Sequence, residues 1–322
     1  MNQSFDAFVT AALFDRAGRA AFALGDGSVR FEDGATVEAH DGASLSACLH
    51  PSGEGIVSGG DDGRLVWARP DGASELAKVP GRWLDSVAAS AESKLIAFAA
   101  GREVHVRDAA DPAFARVFTH EKTVADIAFD PKGRRIAAAS YGGAWLWFAR
   151  IAEQKPSLLK WAGSHIAVAW SPDGRFLISG MQENALHGWR VADEKNMRMG
   201  GYPAKVKSLA FLAKGNVMAT SGANGVVVWP FAGSNGPMGK QAAEVGFEES
   251  ALVTRVAGQP NGSWATWGLD DGRVRACDLI GQKMVEIKAE RGPPISALAM
   301  TADGKRVAWG DEEGQAGVAE VS

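Results

Sequence analysis

The stretch Asp130-Pro131-Lys132-Gly133, Arg135-Ile136-Ala137-Ala138-Ala139-Ser140, Gly142-Gly143, Trp145-Leu146-Trp147 decides the fold. Upstream, Val124, Ile127 and Phe129 mark an apolar strand. Asp-Pro-Lys-Gly then supplies a tight turn, with Pro and Gly where turn geometry favours them. The second run is apolar and small and ends in Ser. A Gly-Gly turn follows, and a third strand closes on Trp. The same order recurs outward in both directions. Repeat 2 runs through Pro51-Ser52-Gly53, Ile56-Val57-Ser58-Gly59, Asp61-Asp62-Gly63 and Leu65-Val66-Trp67. Repeat 5 gives Ser171-Pro172-Asp173-Gly174, Leu177-Ile178-Ser179-Gly180 and Trp189; repeat 6 gives Lys214-Gly215, Ala219-Thr220-Ser221-Gly222 and Trp229.

The first turn of each repeat falls at Gly18, Gly53, Ser93, Gly133, Gly174, Gly215, Gly262 and Gly304. The steps are 35, 40, 40, 41, 41, 47 and 42 residues. A period near 40 built only of short strands predicts the four-stranded antiparallel blades of an all-β propeller. Segments 35–40, 74–80, 114–120, 157–162 and 283–289 fit the fourth, outer strand. Eight repeats predict eight blades, with seven as the alternative, and a single domain over residues 1–322. The last repeat has no chain left for an outer strand, which the N-terminal Asn2–Asp6 segment could supply. The 47-residue step comes from Ala232–Lys240, rich in Gly, Asn and Pro, which reads as a mobile loop.

These residues resemble a degenerate WD40 repeat over the whole chain. In that family, a His before the first strand, a Ser or Thr in the second, an Asp in the next turn and a Trp in the third share a hydrogen-bond network. The resemblance implies that role for His40, Ser58, Asp62 and Trp67 in repeat 2, and for His120, Ser140 and Trp147 in repeat 4. Trp161 and Tyr202 occupy the His position in repeats 5 and 6. The family shares architecture and not chemistry, so the resemblance carries over no functional site.

Composition narrows function. The 322 residues carry 34 basic and 38 acidic side chains, a net charge of −4, which disfavours a nucleic-acid binder. Two cysteines, Cys48 and Cys277, allow neither a disulfide framework nor a Cys-rich metal centre. No basic n-region or long apolar run is present, so a cytoplasmic protein without membrane insertion is expected. No phosphate loop, nucleophile elbow or metal-ligand His spacing is found. No enzyme, cofactor or metal is expected, and a protein–protein interaction scaffold is the favoured function. The alternative is a propeller enzyme or small-ligand binder using a divalent cation near the central channel. Among the positions at the starts of first strands, only Asp85 and Asp126 are acids.

Candidate contact residues lie where second strands end and first strands begin, the face that binds in many such folds. Arg82, Trp83, Tyr141, Met181 and Lys205 are expected to project there, with the Arg–Trp–Tyr combination matching a binding hot spot. Turns at that end are acidic (Asp26, Asp61-Asp62, Glu183, Asp270-Asp271, Asp311-Glu312-Glu313). Those at the other end are basic (Arg16, Arg19, Lys94, Lys132, Arg134-Arg135, Arg175, Lys214, Lys305-Arg306). The acidic turns serve either turn geometry, a basic partner or a cation. The basic end could dock on an anionic surface, an acidic protein or a lipid.

Overall fold

The computed structural model describes residues 2–321; Met1 and Ser322 lie outside the described residues. Apart from one three-residue 3-10 turn, Ala213–Gly215, every described element is a strand. The chain divides into two compact units, residues 13–170 and residues 1–12 with 171–322.

In the 13–170 unit, repeat 2 forms a four-stranded antiparallel sheet: Ser44–Leu49, Ile56–Gly60, Arg64–Arg69 and Gly72–Lys78. Repeat 3 follows with Ser86–Ser90, Leu95–Ala100, Glu103–Asp108 and Ala115–Thr119. The second strands explain the sequence pattern. Ile56–Gly60 and Leu95–Ala100 are buried at every position, so both faces must be apolar or small and no polar alternation survives. Outer strands such as Ala115–Thr119 alternate and expose Ala115, Val117 and Thr119.

The other unit carries repeat 6 (Leu209–Leu212, Val217–Thr220, Val226–Pro230, Ala243–Val245), then repeat 7 (Val253–Gly258, Trp264–Leu269, Val274–Asp278, Lys283–Lys288). Repeat 8 contributes Ile295–Met300, Arg306–Asp311 and Gln315–Glu320, and its fourth strand is N-terminal. Asn2–Ser4 pairs antiparallel with Gly317, Ala316 and Gln315, as the missing outer strand required. The Phe5 N–H adds a bond to the Gly314 carbonyl at 2.8 Å.

Among the described residues the strands belong to seven hydrogen-bonded sheets, one of them six-stranded. The blade count is therefore seven, the alternative, and the eight expected from the repeats is corrected. The cause is the backbone at two positions where the sequence suggests breaks. At Gly142-Gly143, where φ is +95° and +146°, the chain reverses without losing its strand pairing, so Arg135–Phe148 is continuous over 14 residues. Ser157–Trp170, also 14 residues, runs from the outer strand of repeat 4 into the first strand of repeat 5. A register shift between Tyr141 and Gly143 bends the pair without breaking it.

The Ala232–Lys240 insertion is not a loose loop. Arg190 Nη1 donates to Asn235 Oδ1 at 3.0 Å and Arg175 Nη1 to the Gly233 carbonyl at 3.2 Å, while Met238 packs on the Phe176–Phe231 cluster. Cations and an apolar anchor hold it where its composition alone suggests mobility.

Candidate interaction surface

Repeat 2 contains a His–Ser–Asp cluster. His40 Nε2 lies 2.8 Å from Ser58 Oγ and Nδ1 lies 3.1 Å from Asp62 Oδ1. Nδ1–H therefore donates to the carboxylate, and Nε2 accepts from the hydroxyl. Burial holds the His40 pKa below its usual value against the opposing pull of Asp62. Trp67 is not part of this cluster. Its indole N–H donates to the Glu54 carbonyl at 2.7 Å, and its ring stacks on His50 at 3.8 Å.

Repeat 4 differs again. Trp147 Nε1–H donates to His120 Nε2 at 2.9 Å, and His120 Nδ1 faces the Arg102 carbonyl at 3.2 Å. The buried Ser140 hydroxyl has no partner among the described residues, because the two carbonyl- and indole-directed bonds already use both ring nitrogens. In repeat 6, Tyr202 replaces His. Its hydroxyl lies 2.7 Å from Thr220 Oγ1 and accepts the Trp229 indole N–H at 2.7 Å. Thr220 is thus the hydroxyl of this cluster, while the neighbouring Ser221 hydroxyl accepts the backbone N–H of Ser208.

A polar column escaped the sequence analysis. At the starts of first strands, short polar side chains reach to the first strand of the following repeat or to the linker that enters it. Ser46 donates to the Leu84 carbonyl, and Ser86 donates to Asp126 Oδ1 at 2.8 Å. Asp126 Oδ2 accepts the Val168 N–H at 2.8 Å. In the other unit, Ser208 accepts from Val256 N, Thr254 donates to the Ile295 carbonyl, and Ser296 to that of Val9. The signal was present as a Ser, Thr or Asp recurring near one repeat length, but strand alternation hid it. Asp126, one of the two acids noted at these positions, thus binds neighbouring strands, and burial pushes its pKa up to about 6.

The acidic turns close themselves. Asp26 Oδ1 accepts the Ser28 N–H, Asp62 Oδ1 that of Arg64, Asp271 Oδ1 that of Arg273, and Asp311 Oδ1 those of Glu313 and Gln315. Such bonds are the ordinary reason for Asp in a turn. Among the described residues no three His, Cys, Asp or Glu side chains are grouped to hold a metal ion.

Trp83 and Tyr141 stand apart from this self-satisfied background. The linker around Trp83 is fixed on both sides. Arg82 N–H donates to the Val79 carbonyl at 3.3 Å and Leu84 N–H to that of Gly60 at 3.1 Å, with the Leu84 side chain fully buried. The indole is left 67% exposed, and Tyr141, at the end of the second strand of repeat 4, is 64% exposed. Arg82 is exposed and its guanidinium reaches over Gly101, the equivalent end position in repeat 3. An aromatic side chain carries about 150–250 Å² of surface, so covering the exposed part of Trp83 is worth about 3 kcal/mol. Lys205, in the other unit, is exposed. Met181 is not: it is buried, 4% exposed, with its N–H bonded to the Ala185 carbonyl at 2.9 Å. Packing among strands, rather than projection, claims its side chain, and it leaves the candidate set.

Comparison with known proteins bears on this arrangement. Residues 32–67, 113–147 and 158–190 match the family described as WD domain, G-beta repeat. The chain is 99% covered by a superposition on a computationally designed protein, Ika8, with a TM-score of 0.80 and 17% identity over 98% of that chain. The chain carries WD40 repeats in a β-propeller fold. The propeller domain of Cps50 (Swd1) from Myceliophteria thermophila superposes with a TM-score of 0.68 and 13% identity, covering 87% of this WD40 chain and 97% of that one. In sequence, the WD40 chain is 25% identical over 191 residues to pre-mRNA-processing factor 19 homolog 2 of Arabidopsis thaliana. The match covers 54% of this chain and 35% of that protein, so it spans about a third of the relative's length. No helix among the described residues of the WD40 chain is long and apolar enough to cross a membrane.

Proposed function

We propose that residues 1–322 act as one WD40 propeller domain, a non-enzymatic platform for protein–protein interaction. The contact surface includes Arg82, Trp83 and Tyr141 of the 13–170 unit; Lys205 is a separate candidate in the other unit. The observation that carries this reading is the pair of rigidly mounted, two-thirds-exposed aromatics at equivalent ends of successive repeats. Elsewhere at these ends, the turn aspartates Asp26, Asp62, Asp271 and Asp311 are bonded within the chain. Exposed Trp and Tyr beside Arg are the residue types that dominate binding energy, because they bury a large area at little cost in side-chain entropy. The WD40 architecture and the likeness to a pre-mRNA-processing factor support an interaction role. The unpartnered phenol and guanidinium favour a protein surface that presents hydrogen-bond acceptors beside an apolar pocket.

The test is affinity capture from the source cells with the wild-type chain and a Trp83→Ala/Tyr141→Ala variant, quantified by mass spectrometry. Both substitutions are at exposed sites and leave the fold intact. Proteins enriched by wild type and reduced at least tenfold with the variant are expected. Equal capture by both would remove these residues from the contact surface.

A further inference from the structure

We propose a second docking surface, at the opposite ends of the strands in repeats 3 and 4, that takes an acidic segment of a partner protein. Four stretches meet there within the 13–170 unit: 91–94, 114–116, 131–134 and 148–151. Arg150 Nη2 ties them, donating to the Ser93 carbonyl at 3.0 Å and to Asp108 Oδ2 at 2.6 Å. Ala149 N–H bonds the Arg134 carbonyl at 2.9 Å, and Arg116 Nε bonds the Arg150 carbonyl at 3.3 Å. The guanidinia of Arg116 and Arg150 lie over the Phe114 ring, 4.7 and 5.0 Å from its centre.

This stacking fixes two planar cations against one aromatic, which lowers the ordering cost of carboxylate recognition. The charges are not equally used. Arg150 is matched by Asp108. Arg116 makes only carbonyl bonds, to Ala115 and Arg150. No carboxylate among the described residues pairs with Arg116, Arg134, Lys94 or Lys132, and the last three are exposed.

Beside these cations the chain holds apolar side chains out to solvent. Gln154 closes the turn, accepting the Phe148 N–H at 2.8 Å and donating to the Phe148 and Ile151 carbonyls at 2.8 and 2.7 Å. The turn is preformed, yet Phe148 is 50% and Ile151 48% exposed. Cations without a carboxylate partner, next to outward apolar side chains, complement an extended segment bearing carboxylates and one or two large apolar residues. Glu92, Asp111 and Glu153 are exposed around the same stretches. A flat anionic bilayer would meet these acids as well as the cations, whereas a peptide can pass between them, so the charge pattern favours protein.

The experiment selects random 12-residue peptides displayed on phage against the full-length chain, then measures the enriched sequences as labelled synthetic peptides. Variants are Arg116→Glu/Arg134→Glu, checked for native circular dichroism, and Trp83→Ala/Tyr141→Ala. Flotation with phosphatidylserine-containing vesicles runs in parallel. Enriched peptides that combine acids with apolar residues, lose at least tenfold in affinity on the Arg variant and are unaffected by the aromatic variant would support the proposal. If the Arg variant misfolds, Lys94→Glu/Lys132→Glu places the same reversal on solvent-exposed side chains, with the same loss expected. Enrichment without acidic residues, affinity unchanged by either reversal, or binding to vesicles alone would overturn it.

Discussion

The column of short polar side chains at the starts of first strands ties stability to single atoms. Asp126 accepts from Ser86 and Val168, yet burial outweighs those bonds and raises its pKa to about 6 from 3.8. The folded state therefore keeps a proton that the unfolded chain releases. Its stabilising contribution is complete below pH 3.8 and is lost as pH rises to about 6, a span worth up to about 3 kcal/mol. Asp126→Asn carries no such titration. The stability of the variant relative to wild type is expected to rise between pH 4 and pH 6 and then level off, as read by urea unfolding. A difference that is flat across that range would show that Asp126 titrates normally. Tyr202 makes a second residue-level case. Tyr202→Phe strips a buried hydroxyl from Thr220 and leaves the Trp229 indole N–H unpaired, so a loss of about 1–3 kcal/mol is expected in the same assay. An unchanged midpoint would mean that water replaces the hydroxyl.

At the level of elements, strand order was legible because glycine turns and apolar runs recur in register. The edges of that pattern were not. Gly142-Gly143 reverses the chain as its composition suggests, yet strand pairing runs on through the reversal, since glycine's permissive backbone accepts φ of +95° and +146° there. Contact through the third-strand Trp was foreseen, but its donor finds a carbonyl in repeat 2, a His in repeat 4 and a Tyr in repeat 6. Local packing geometry, absent from one sequence, decides among them. Trp83 and Tyr141 were legible as exposed because their positions lie outside both strand faces, whereas Met181, one residue beyond a glycine, was drawn inward. The N-terminal strand makes the clearest element-level prediction. Deleting residues 1–6 removes the pairing with Gln315, Ala316 and Gly317 and bares a strand edge. A loss of about 3 kcal/mol and concentration-dependent association are expected, read by thermal unfolding and light scattering. A truncated chain as stable and monodisperse as the full one would mean that this strand is dispensable. Gly63, at φ +77°, tests a turn: a Cβ there collides with the Val79 carbonyl, so Gly63→Ala should cost more than about 1 kcal/mol by urea unfolding. No loss would show that the turn readily relaxes.

For the molecule as a whole, the repeats spend most of their polar groups on themselves. Turn aspartates close turns, first-strand hydroxyls join neighbouring strands, and the Trp67, Trp147 and Trp229 indoles find internal acceptors. The buried Ser140 hydroxyl is an exception, and at the end that carries the linkers the large side chains held furthest out to solvent are the aromatics Trp83 and Tyr141. With a net charge of only −4, recognition is set by local groups rather than by a global field. The most direct measurement places a photoreactive benzoylphenylalanine at position 83, at position 141 and, as a control, at the exposed Ile280, then crosslinks in the source cells. Discrete protein adducts from positions 83 and 141, absent from position 280, are predicted. Adducts from position 280 alone, or the same adducts from all three, would contradict an interaction surface built on Trp83 and Tyr141.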